Sequence, residues 1–435
     1  MKILFFTTYN ITLIREHFFT KNVAISLYSE SIKINHEIEI VTISSHQPNK
    51  NELVYKTPQG DKIENKIIDI SKCKNSSEIT KNIINYIEKN KPDIIHSQMI
   101  EGFDIEAAKF LNIPIVNTVH IGGFICPRGG GNGFLKYDNS ICDQPIGKTC
   151  EKCMSKNMPL PFFTFLLNKA IPRNFKLKLR NKINKNLFYV TPFLNLSFIP
   201  EEKKRFINLA KYSHIICANK KLIELCKVNG LNSNLHLLPH GVKIRKRLPL
   251  PSLEEPIKFY FLGRIQFSKG LHIIIKALKE IPKNIYELHI LGDADYMGKK
   301  EEKYFQKLKG CSKNLNIIWH GRVNNEKIED YIKNFHVMIH PTICHEIYGI
   351  AIAESLSMGR PVLATRCGGA EMQIKDNFNG WLINPNDIQD MKKKILSIIS
   401  NKEDIVKFSK NANLPYSIEN YSKSLFELYS KIKKQ

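Results

Sequence analysis

The sequence predicts an α/β protein with two doubly wound parallel-sheet domains. Its 435 residues exceed what one ordinary core organises, and they suit two domains of about 200 residues each. Short apolar runs alternate with longer stretches of helical periodicity along the chain. Apolar strands that are each followed by a helix are typical of parallel sheets covered on both faces, so two such series predict two Rossmann-like domains.

The strand candidates are apolar runs bounded by turn-forming residues. In the first half of the chain they are 2–8, 38–44, 67–70, 93–98, 114–120, 214–219 and 235–241. In the second half they are 257–263, 287–293, 315–321, 337–342, 361–365 and 380–384. Each set is large enough for one open sheet.

Composition sets the expected domain limits. Residues 244–255 are rich in proline and charge and lack periodicity, which indicates a hinge. We therefore expect an N-terminal domain over 1–243, a C-terminal domain over 256–415 and an amphipathic final helix over 416–435. Within the first domain, residues 121–200 form an irregular, cysteine-rich and basic insertion. Long loops of this kind in compact domains are usually functional.

The formal net charge of +24 favours anionic partners, although a lysine-rich solvated surface explains it equally well. Neither an aromatic stacking platform nor a reading helix accompanies the charge, which argues against nucleic acid as a partner. No run reaches the ~18 apolar residues that a membrane span needs. The apolar start of the chain is better explained as a buried strand than as a signal peptide. We expect a cytoplasmic protein. The sequence leaves open whether it also attaches to the inner face of the membrane.

The segment HPTICHEIYGIAIAESLSMGRPVLAT, residues 340–365, contains two glutamates on either side of a predicted helix start. Glu346 lies in the loop and Glu354 inside the helix, so both can face the crevice at the carboxyl end of the sheet. A carboxylate accepts paired hydrogen bonds from adjacent hydroxyls, as on a sugar or a ribose. The backbone N–H groups of Gly349 and Ile350 would lie at the helix N-terminus, which favours a phosphate.

The segment FLGRIQFSKG, residues 261–270, leads from a strand into a helix. The strand ends at Gly263, and Arg264 and Lys269 lie in the connecting loop beside the same crevice. Arginine gives planar bidentate contacts to phosphate and lysine gives a compact charge. The pair can therefore neutralise a diphosphate leaving group, although solvated basic residues are the plain alternative.

Two further features lie at predicted strand ends. Gly368 and Gly369 allow close approach of the backbone, and Glu371 follows them; a simple tight turn explains this segment equally well. His120 ends the strand candidate 114–120 and would face the crevice. A lone histidine is more often structural, so the functional interpretation of His120 depends on its position at the crevice.

Together these motifs closely resemble the signature of glycosyltransferase family 4, in which a Gly-Arg and Lys-Gly loop precedes two glutamates separated by seven residues. The resemblance covers nearly the whole chain and is weakest over 121–200. It implies the GT-B fold, with two Rossmann-like domains facing a cleft and the last helix crossing back onto the N-terminal domain. It also implies a retaining enzyme of the hexosyltransferase type that needs no metal for catalysis.

By the same resemblance, Glu346 contacts the donor sugar, Glu354 contacts the ribose, and His120 lies near the donor sugar and the reacting centre. Arg264 and Lys269 take the diphosphate-binding role. The expected catalytic residues are therefore His120, Arg264, Lys269 and Glu346. The expected donor-binding residues are Gly263, Gly349, Ile350, Glu354, Gly368, Gly369 and Glu371.

The expected function is transfer of a sugar from a nucleotide-diphosphate sugar to a sugar or lipid-linked acceptor, in surface polysaccharide or glycolipid synthesis. A GT-B phosphorylase or a sugar-nucleotide epimerase is the alternative enzyme, because both share the fold. A sugar-binding scaffold is the non-catalytic alternative. The complete set of Arg264, Lys269, Glu346 and Glu354 argues against a degenerate site.

The insertion carries cysteines at 126, 142, 150 and 153, and Cys150 and Cys153 form a Cys-x-x-Cys pair. This pair is a common half of a tetrahedral zinc site, so Cys126, Cys142, Cys150 and Cys153 are candidate ligands of a structural zinc. Four free thiols are an equal alternative.

Residues 152–200 contain basic residues and phenylalanine clusters but no Asp or Glu, a composition that suits an anionic membrane surface.

Overall fold

The computed structural model contains two compact units. The first consists of Met1–Cys217, Leu222–Leu237 and Phe426–Gln435, and the second consists of Ala218–Lys221 and Leu238–Leu425. The structure describes residues 1–7, 19–44, 54–56, 62–73, 75–98, 102–120, 125–128, 133–155, 161–172, 174–175, 192–254, 256–294 and 299–434.

The first unit contains an eight-stranded sheet with the order β3-β4-β2-β1-β5-β6-β7-β8. Its strands are β1 (Lys2–Thr7), β2 (Glu37–Ser44), β3 (Val54–Lys56), β4 (Lys62–Asp69), β5 (Ile94–Ser97), β6 (Ile115–Thr118), β7 (His214–Cys217) and β8 (Leu235–Leu237). All neighbours are parallel except β3, which pairs with β4 in the antiparallel sense. Every predicted strand of this half appears. Strand β3 is an addition at the sheet edge, and three residues are too few to show a pattern.

The helices described for the first half of the chain are α1 (Phe19–Lys33), α2 (Ser76–Asn90), α3 (Phe103–Phe110), α4 (Thr149–Ser155), α5 (Pro161–Ala170), α6 (Pro192–Ala210) and α7 (Lys220–Val228). Residues Ile3–Phe6 of β1 are fully buried, as are Ile94 and Ile95 of the neighbouring β5. Central strands buried on both faces are what a parallel α/β sheet requires, which explains why the sequence shows continuous apolar runs there.

The second unit contains a six-stranded, fully parallel sheet with the order β11-β10-β9-β12-β13-β14. Its strands are β9 (Ile257–Leu262), β10 (Tyr286–Leu291), β11 (Ile317–Gly321), β12 (Val337–His340), β13 (Val362–Thr365) and β14 (Gly380–Ile383). The chain winds outward from β9 in one direction and then restarts at β12 in the other. The order therefore reverses between β9 and β12, which is the doubly wound pattern with its topological switch point.

The helices after β9 are α8 (Leu271–Leu278), α9 (Lys299–Cys311), α10 (Ile328–Ile332), α11 (Ile350–Ser357), α12 (Gly369–Gln373), α13 (Ile388–Ser400), α14 (Lys402–Lys410) and α15 (Ile418–Lys433). Local sequence sets where some helices begin. The side chain of Asp387 accepts the Asp390 N–H at 2.8 Å and caps α13, just as Asn75 accepts the Glu78 N–H at 3.0 Å and caps α2. Such caps satisfy a donor that the helix itself leaves without an acceptor.

The end of α15 belongs to the first unit. There the hydroxyl of Tyr429 forms a hydrogen bond with Nδ1 of His96, and Lys433 Nζ lies 2.8 Å from Asp93 Oδ1. His96 and Tyr429 are both fully buried, and burial lowers the pKa of His96 to about 3. Residues far apart in the sequence therefore complete one core.

Most of the basic residues of the stretch 152–200 fall outside the described residues, including Arg173, Lys176, Lys178 and Arg180. The loop after β1, residues 8–18, falls outside them as well. Among the helices that are described, none combines the length and the apolar character needed to cross a membrane.

Candidate active site

The switch point of the second unit brings two loops together at the carboxyl ends of β9 and β12. After β9 the chain passes Gly263 and forms a short 3₁₀ turn, Phe267–Lys269. A Cβ on the next residue, Gly270, would lie 1.9 Å from the carbonyl oxygen of Pro341, and its φ of +73° is one that glycine adopts readily. Glycine at this position lets the two loops touch.

An ion pair joins these loops. Nζ of Lys269 lies 2.5 Å from Oε2 of Glu346, and the two side chains are only 20% and 16% exposed. The same carboxylate oxygen lies 3.2 Å from Nε2 of His340 and 3.4 Å from the hydroxyl of Thr342. The structure thus brings two predicted site residues into direct contact and adds two polar neighbours from the end of β12.

The electrostatics of this cluster keep Glu346 ionised. Burial alone would raise the pKa of Glu346, but the charge of Lys269 and the hydrogen bond from His340 outweigh burial and hold that pKa well below its usual range. Burial lowers the pKa of His340 despite the adjacent carboxylate, so its imidazole is neutral at neutral pH. The cluster is therefore a carboxylate and an ammonium ion supported by neutral polar groups.

This pKa shift predicts how stability depends on pH. Because folding lowers the pKa of Glu346 below its ordinary value of 4.5, the carboxylate stabilises the folded chain above that pH, and the contribution is lost as pH falls. We expect Glu346→Gln to flatten the loss of unfolding free energy between about pH 5 and pH 3. Urea unfolding at several pH values measures this slope. Glu403→Gln, at an exposed position of α14, is the control, and an unchanged slope in Glu346→Gln would contradict the assignment.

Backbone hydrogen bonds fix the loop that carries Glu346. Its N–H donates to the carbonyl of Cys367 at 3.1 Å, and its carbonyl accepts the Gly369 N–H at 2.8 Å. The side-chain amide of Asn219 donates to the same carbonyl at 3.1 Å. A Cβ on Gly369 would lie 2.5 Å from the carbonyl oxygen of Tyr348, so the Gly-Gly turn packs directly against the glutamate loop.

The other predicted residues of this turn have mainly structural contacts. Gly368 has a φ of +67°, and its N–H donates to Oε2 of Glu371 at 3.0 Å, which caps the start of α12. Glu371 is exposed. The capping bond involves Oε2 of Glu371 and does not involve Oε1.

Helix α11 begins beside the cluster. Gly349 has a φ of +84° and precedes Ile350, the first helical residue. The first-turn N–H groups of a helix lack intrahelical acceptors, so this end offers donors and a partial positive charge. Arg264 lies exposed in the loop between β9 and the 3₁₀ turn. Arg264 and Lys269 follow β9, and the start of α11 follows β12. All three therefore lie at the same edge of the sheet.

Glu354, inside α11, forms a second ion pair that is largely shielded from solvent. Its Oε1 lies 3.0 Å from Nη2 of Arg245, and the side chains are 14% and 5% exposed. Nη1 of Arg245 also donates to the backbone carbonyl of Asn325 at 3.2 Å. Burial raises the pKa of Glu354, and the Arg245 guanidinium opposes that rise. Arg245 therefore provides the charge that a buried carboxylate needs.

The remaining predicted residues lie in the first unit and are described separately. His120 follows β6, and burial lowers its pKa to about 3, so it is neutral. Cys150 and Cys153 lie on α4, while Cys126 and Cys142 lie in the segments before it. Across the described part of the chain, no three His, Cys, Asp or Glu side chains are grouped as ligands of a metal ion. Structural zinc remains a prediction.

Sequence reasoning missed four residues that contact the two predicted glutamates: Thr342, His340 and Asn219 at Glu346, and Arg245 at Glu354. His340 is the last residue of β12 and Thr342 lies two residues later, a spacing that places side chains on one side of an extended chain. That spacing could have identified them. Arg245 was expected to belong to a hinge, and its contact with Glu354 spans 109 positions, so no local pattern indicates it.

Comparison with known proteins gives the family of this region. Residues 243–414, which include both ion pairs, match the profile of the family described as Glycosyl transferases group 1. This stretch of the second unit is therefore similar to a glycosyltransferase domain. This domain supplies Lys269 and Glu346 at its switch point, and the predicted family membership is supported at the level of glycosyltransferases.

Two curated relatives are similar to this chain over about half of its length. The chain is 26% identical to an uncharacterised glycosyltransferase of Methanocaldococcus jannaschii, over 51% of this chain and 58% of the relative. It is 23% identical to the amylovoran biosynthesis glycosyltransferase AmsK of Erwinia amylovora, over 43% of this chain and 46% of the relative. The chain spans about half the length of the curated relatives it matches.

Solved structures share the fold of the whole chain. The structure of Anabaena HepE in complex with UDP and glucose covers 99% of this chain and 99% of its own, with a TM-score of 0.65 and 14% identity. The structure of HepE in complex with UDP-glucose gives a TM-score of 0.64 at 13% identity. Likeness at this identity shows the fold, and it confirms the predicted GT-B class of two Rossmann-like sheets.

Proposed function

We propose that the protein is a glycosyltransferase that moves a sugar from a nucleotide-diphosphate sugar to a hydroxyl of an acceptor. The observation that carries the proposal is the partly buried Lys269–Glu346 pair at the switch point of the glycosyltransferase-like domain. Open α/β sheets bind ligands at this point, and the pair offers one anionic and one cationic group there. We also propose membership of family 4 and retention of anomeric configuration, which rest on the motif resemblance.

The chemistry of each group supports a role. The ionised Glu346 can accept hydrogen bonds from two sugar hydroxyls, since a carboxylate has several acceptor positions. Lys269 has three N–H donors and can contact a phosphate while it stays bound to Glu346. With Arg264 and the start of α11, it would stabilise the negative charge that develops on the departing diphosphate. The acceptor proton would pass to the leaving phosphate.

UDP-sugars are the first donors to test. The fold neighbour HepE was solved with UDP and with UDP-glucose, which supports a nucleotide sugar of this type. In the experiment, purified protein is mixed with each nucleotide sugar, and thermal shift and release of free nucleotide are measured with and without sugar acceptors. One donor should stabilise the protein and be turned over faster with an acceptor. Stabilisation by none of the common nucleotide sugars would contradict the proposal.

The same experiment separates the alternative enzymes. A phosphorylase would consume inorganic phosphate with a sugar polymer, and an epimerase would convert the nucleotide sugar without releasing nucleotide. Both outcomes would redirect the function while leaving the fold unchanged. A scaffold would bind the sugar nucleotide and turn over none of it.

We further propose that the acceptor is a sugar or lipid-linked intermediate of surface polysaccharide or glycolipid synthesis, next to an anionic membrane. The name of the Erwinia relative, a glycosyltransferase of amylovoran biosynthesis, supports the polysaccharide role. Each basic residue near an anionic bilayer adds about 1 kcal/mol of attraction. The acid-free stretch 152–200 could therefore provide reversible attachment.

Sedimentation with liposomes tests the membrane contact. The protein should bind vesicles that contain anionic lipid, and binding should weaken as salt screens the charges. Neutralising Arg173, Lys176, Lys178 and Arg180 together should reduce binding. Neutralising four basic residues of α13 and α14, at Lys392, Lys393, Lys394 and Lys407, is the matched control. Equal binding to neutral vesicles, or no binding to anionic ones, would favour a soluble acceptor.

A further inference from the structure

Helix α9 packs against the short turn that carries Lys269. This 3₁₀ turn, Phe267–Lys269, lies between β9 and α8. Its own hydrogen bonds run from the Lys269 N–H to the Gln266 carbonyl at 2.9 Å and from the Gly270 N–H to the Phe267 carbonyl at 3.1 Å. So few bonds only partly offset the conformational entropy that ordering the turn costs, and contacts from outside the turn therefore matter for its position.

Glu301 of α9 fixes the beginning of the turn. Its Oε2 accepts the Phe267 N–H at 3.2 Å, and the residue is only 6% exposed. A buried N–H group that lacks an acceptor costs free energy. The Glu301 side chain therefore satisfies this donor and sets where the turn starts.

Tyr304, one helical turn further along α9, fixes the other end. Its hydroxyl oxygen accepts the His272 N–H at 3.3 Å, and the same hydroxyl lies 2.8 Å from Nδ1 of His272. His272 belongs to the first turn of α8, where backbone N–H groups have no acceptor within the helix. Burial lowers the pKa of His272 to about 4, so its imidazole is neutral and Nδ1 can accept the tyrosine O–H.

Ring packing joins the two ends of the turn. The Phe267 ring stacks on the His272 ring, with centroids 4.8 Å apart, and the Tyr304 ring meets these two rings edge-on at 5.7 and 5.9 Å. Lys269 lies between Phe267 and His272 in the chain, so α9 holds its backbone from both sides. The spacing of three residues places Glu301 and Tyr304 on one face of the helix.

We propose that Glu301 and Tyr304 are positioning residues for sugar transfer. They act through the backbone of the turn, which keeps Nζ of Lys269 2.5 Å from Oε2 of Glu346. The inference rests on the proposed function, because it concerns the ammonium group that would face the diphosphate. A displaced Lys269 would stabilise the transition state less, and a misplacement of about 1 Å can lower a rate 10²-fold.

Steady-state kinetics of point variants test this role. Tyr304→Phe keeps the ring and removes the hydroxyl, and it should lower kcat by about 10–100-fold. Glu301→Ala should also lower kcat. Glu301→Gln should keep most of the rate, because its amide oxygen can still accept the Phe267 N–H.

Two control variants remove similar groups elsewhere. Tyr416→Phe removes a hydroxyl that donates to the Asn420 carbonyl at 3.1 Å, and Glu302→Ala removes an exposed carboxylate of α9 that accepts from Gln306 at 2.7 Å. Both should leave kcat unchanged. Hydrogen exchange over residues 267–273 should become faster in Tyr304→Phe and Glu301→Ala and stay the same in the controls, because only the first two variants release the turn.

A double-mutant cycle separates positioning from a general loss of stability. In the Lys269→Ala background, Tyr304→Phe should change the rate by less than about 2-fold, because the group that it positions is gone. A variant that merely lowered the folded fraction would lose the same factor in both backgrounds. Equal factors, or near-normal kcat in both Tyr304→Phe and Glu301→Ala, would overturn the positioning role while sugar transfer stands. If the unmodified protein transfers no sugar, the proposed function fails and the role in transfer fails with it.

Discussion

Replacing Glu346 with alanine should reduce sugar transfer by about 10²–10³-fold, because a preorganised charge at the reacting centre is lost. The change also removes the partner of Lys269, which lies 2.5 Å away. Lys269→Ala should cause a loss of similar size, since the charge that would face the diphosphate disappears. Initial rates at saturating donor and acceptor measure both effects.

Two controls separate catalysis from folding. Glu403 and Lys407 are exposed on α14, which contributes no side chain to the Lys269–Glu346 cluster, so alanine at either position should leave the rate unchanged. Circular dichroism should show that all four variants keep the secondary structure of the parent. Near-normal turnover in both Glu346→Ala and Lys269→Ala would place the active site elsewhere.

Replacing Arg245 with methionine should lower the free energy of unfolding by about 3–5 kcal/mol, the usual cost of leaving a buried charge without its partner. The carboxylate that loses its partner is Glu354, whose side chain is 14% exposed. The deficit should shrink as pH falls towards the ordinary range of a carboxyl group, because protonated Glu354 no longer needs a cation. Urea unfolding at neutral and at acidic pH measures it.

A matched exposed pair shows whether burial causes the effect. Arg366 lies 2.6 Å from Asp376, with side chains 42% and 30% exposed, so Arg366→Met should cost no more than about 1 kcal/mol. The double variant Arg245→Met with Glu354→Gln should recover part of the lost stability, since no buried charge is left. Equal losses for the two single arginine variants would show that the Arg245–Glu354 pair contributes no more than a surface pair.

The sequence predicted the two sheets and the loops at the switch point because those features are local. Each strand of a parallel sheet is a short apolar run, and each site loop begins where such a run ends. The pairing of Lys269 with Glu346 follows once β9 and β12 are known to be neighbours, but neighbouring strands cannot be read from apolar runs. Local patterns therefore identify Lys269 and Glu346 one at a time, and only the fold shows that they are in contact.

Contacts made over long separations explain what the sequence could not predict. The proline-rich surroundings of Arg245 predict a hinge, and only the fold brings this residue to Glu354 in α11. Asn219 ends the strand candidate 214–219, and its amide reaches the carbonyl of Glu346, 127 positions later. Neither residue type nor spacing indicates such a bond, since any polar side chain at a strand end could have made it.

The last turns of α15 complete the first unit although they follow the whole second unit in the chain. The ribosome therefore synthesises every strand of the second unit before it reaches Phe426 and Tyr429, which are buried in the core of the first unit. Domains generally fold in the order of synthesis, but the core of the first unit includes residues that are made after the whole second unit. We expect the nascent chain to present this uncovered apolar surface to chaperones until Phe426 and Tyr429 have left the ribosome.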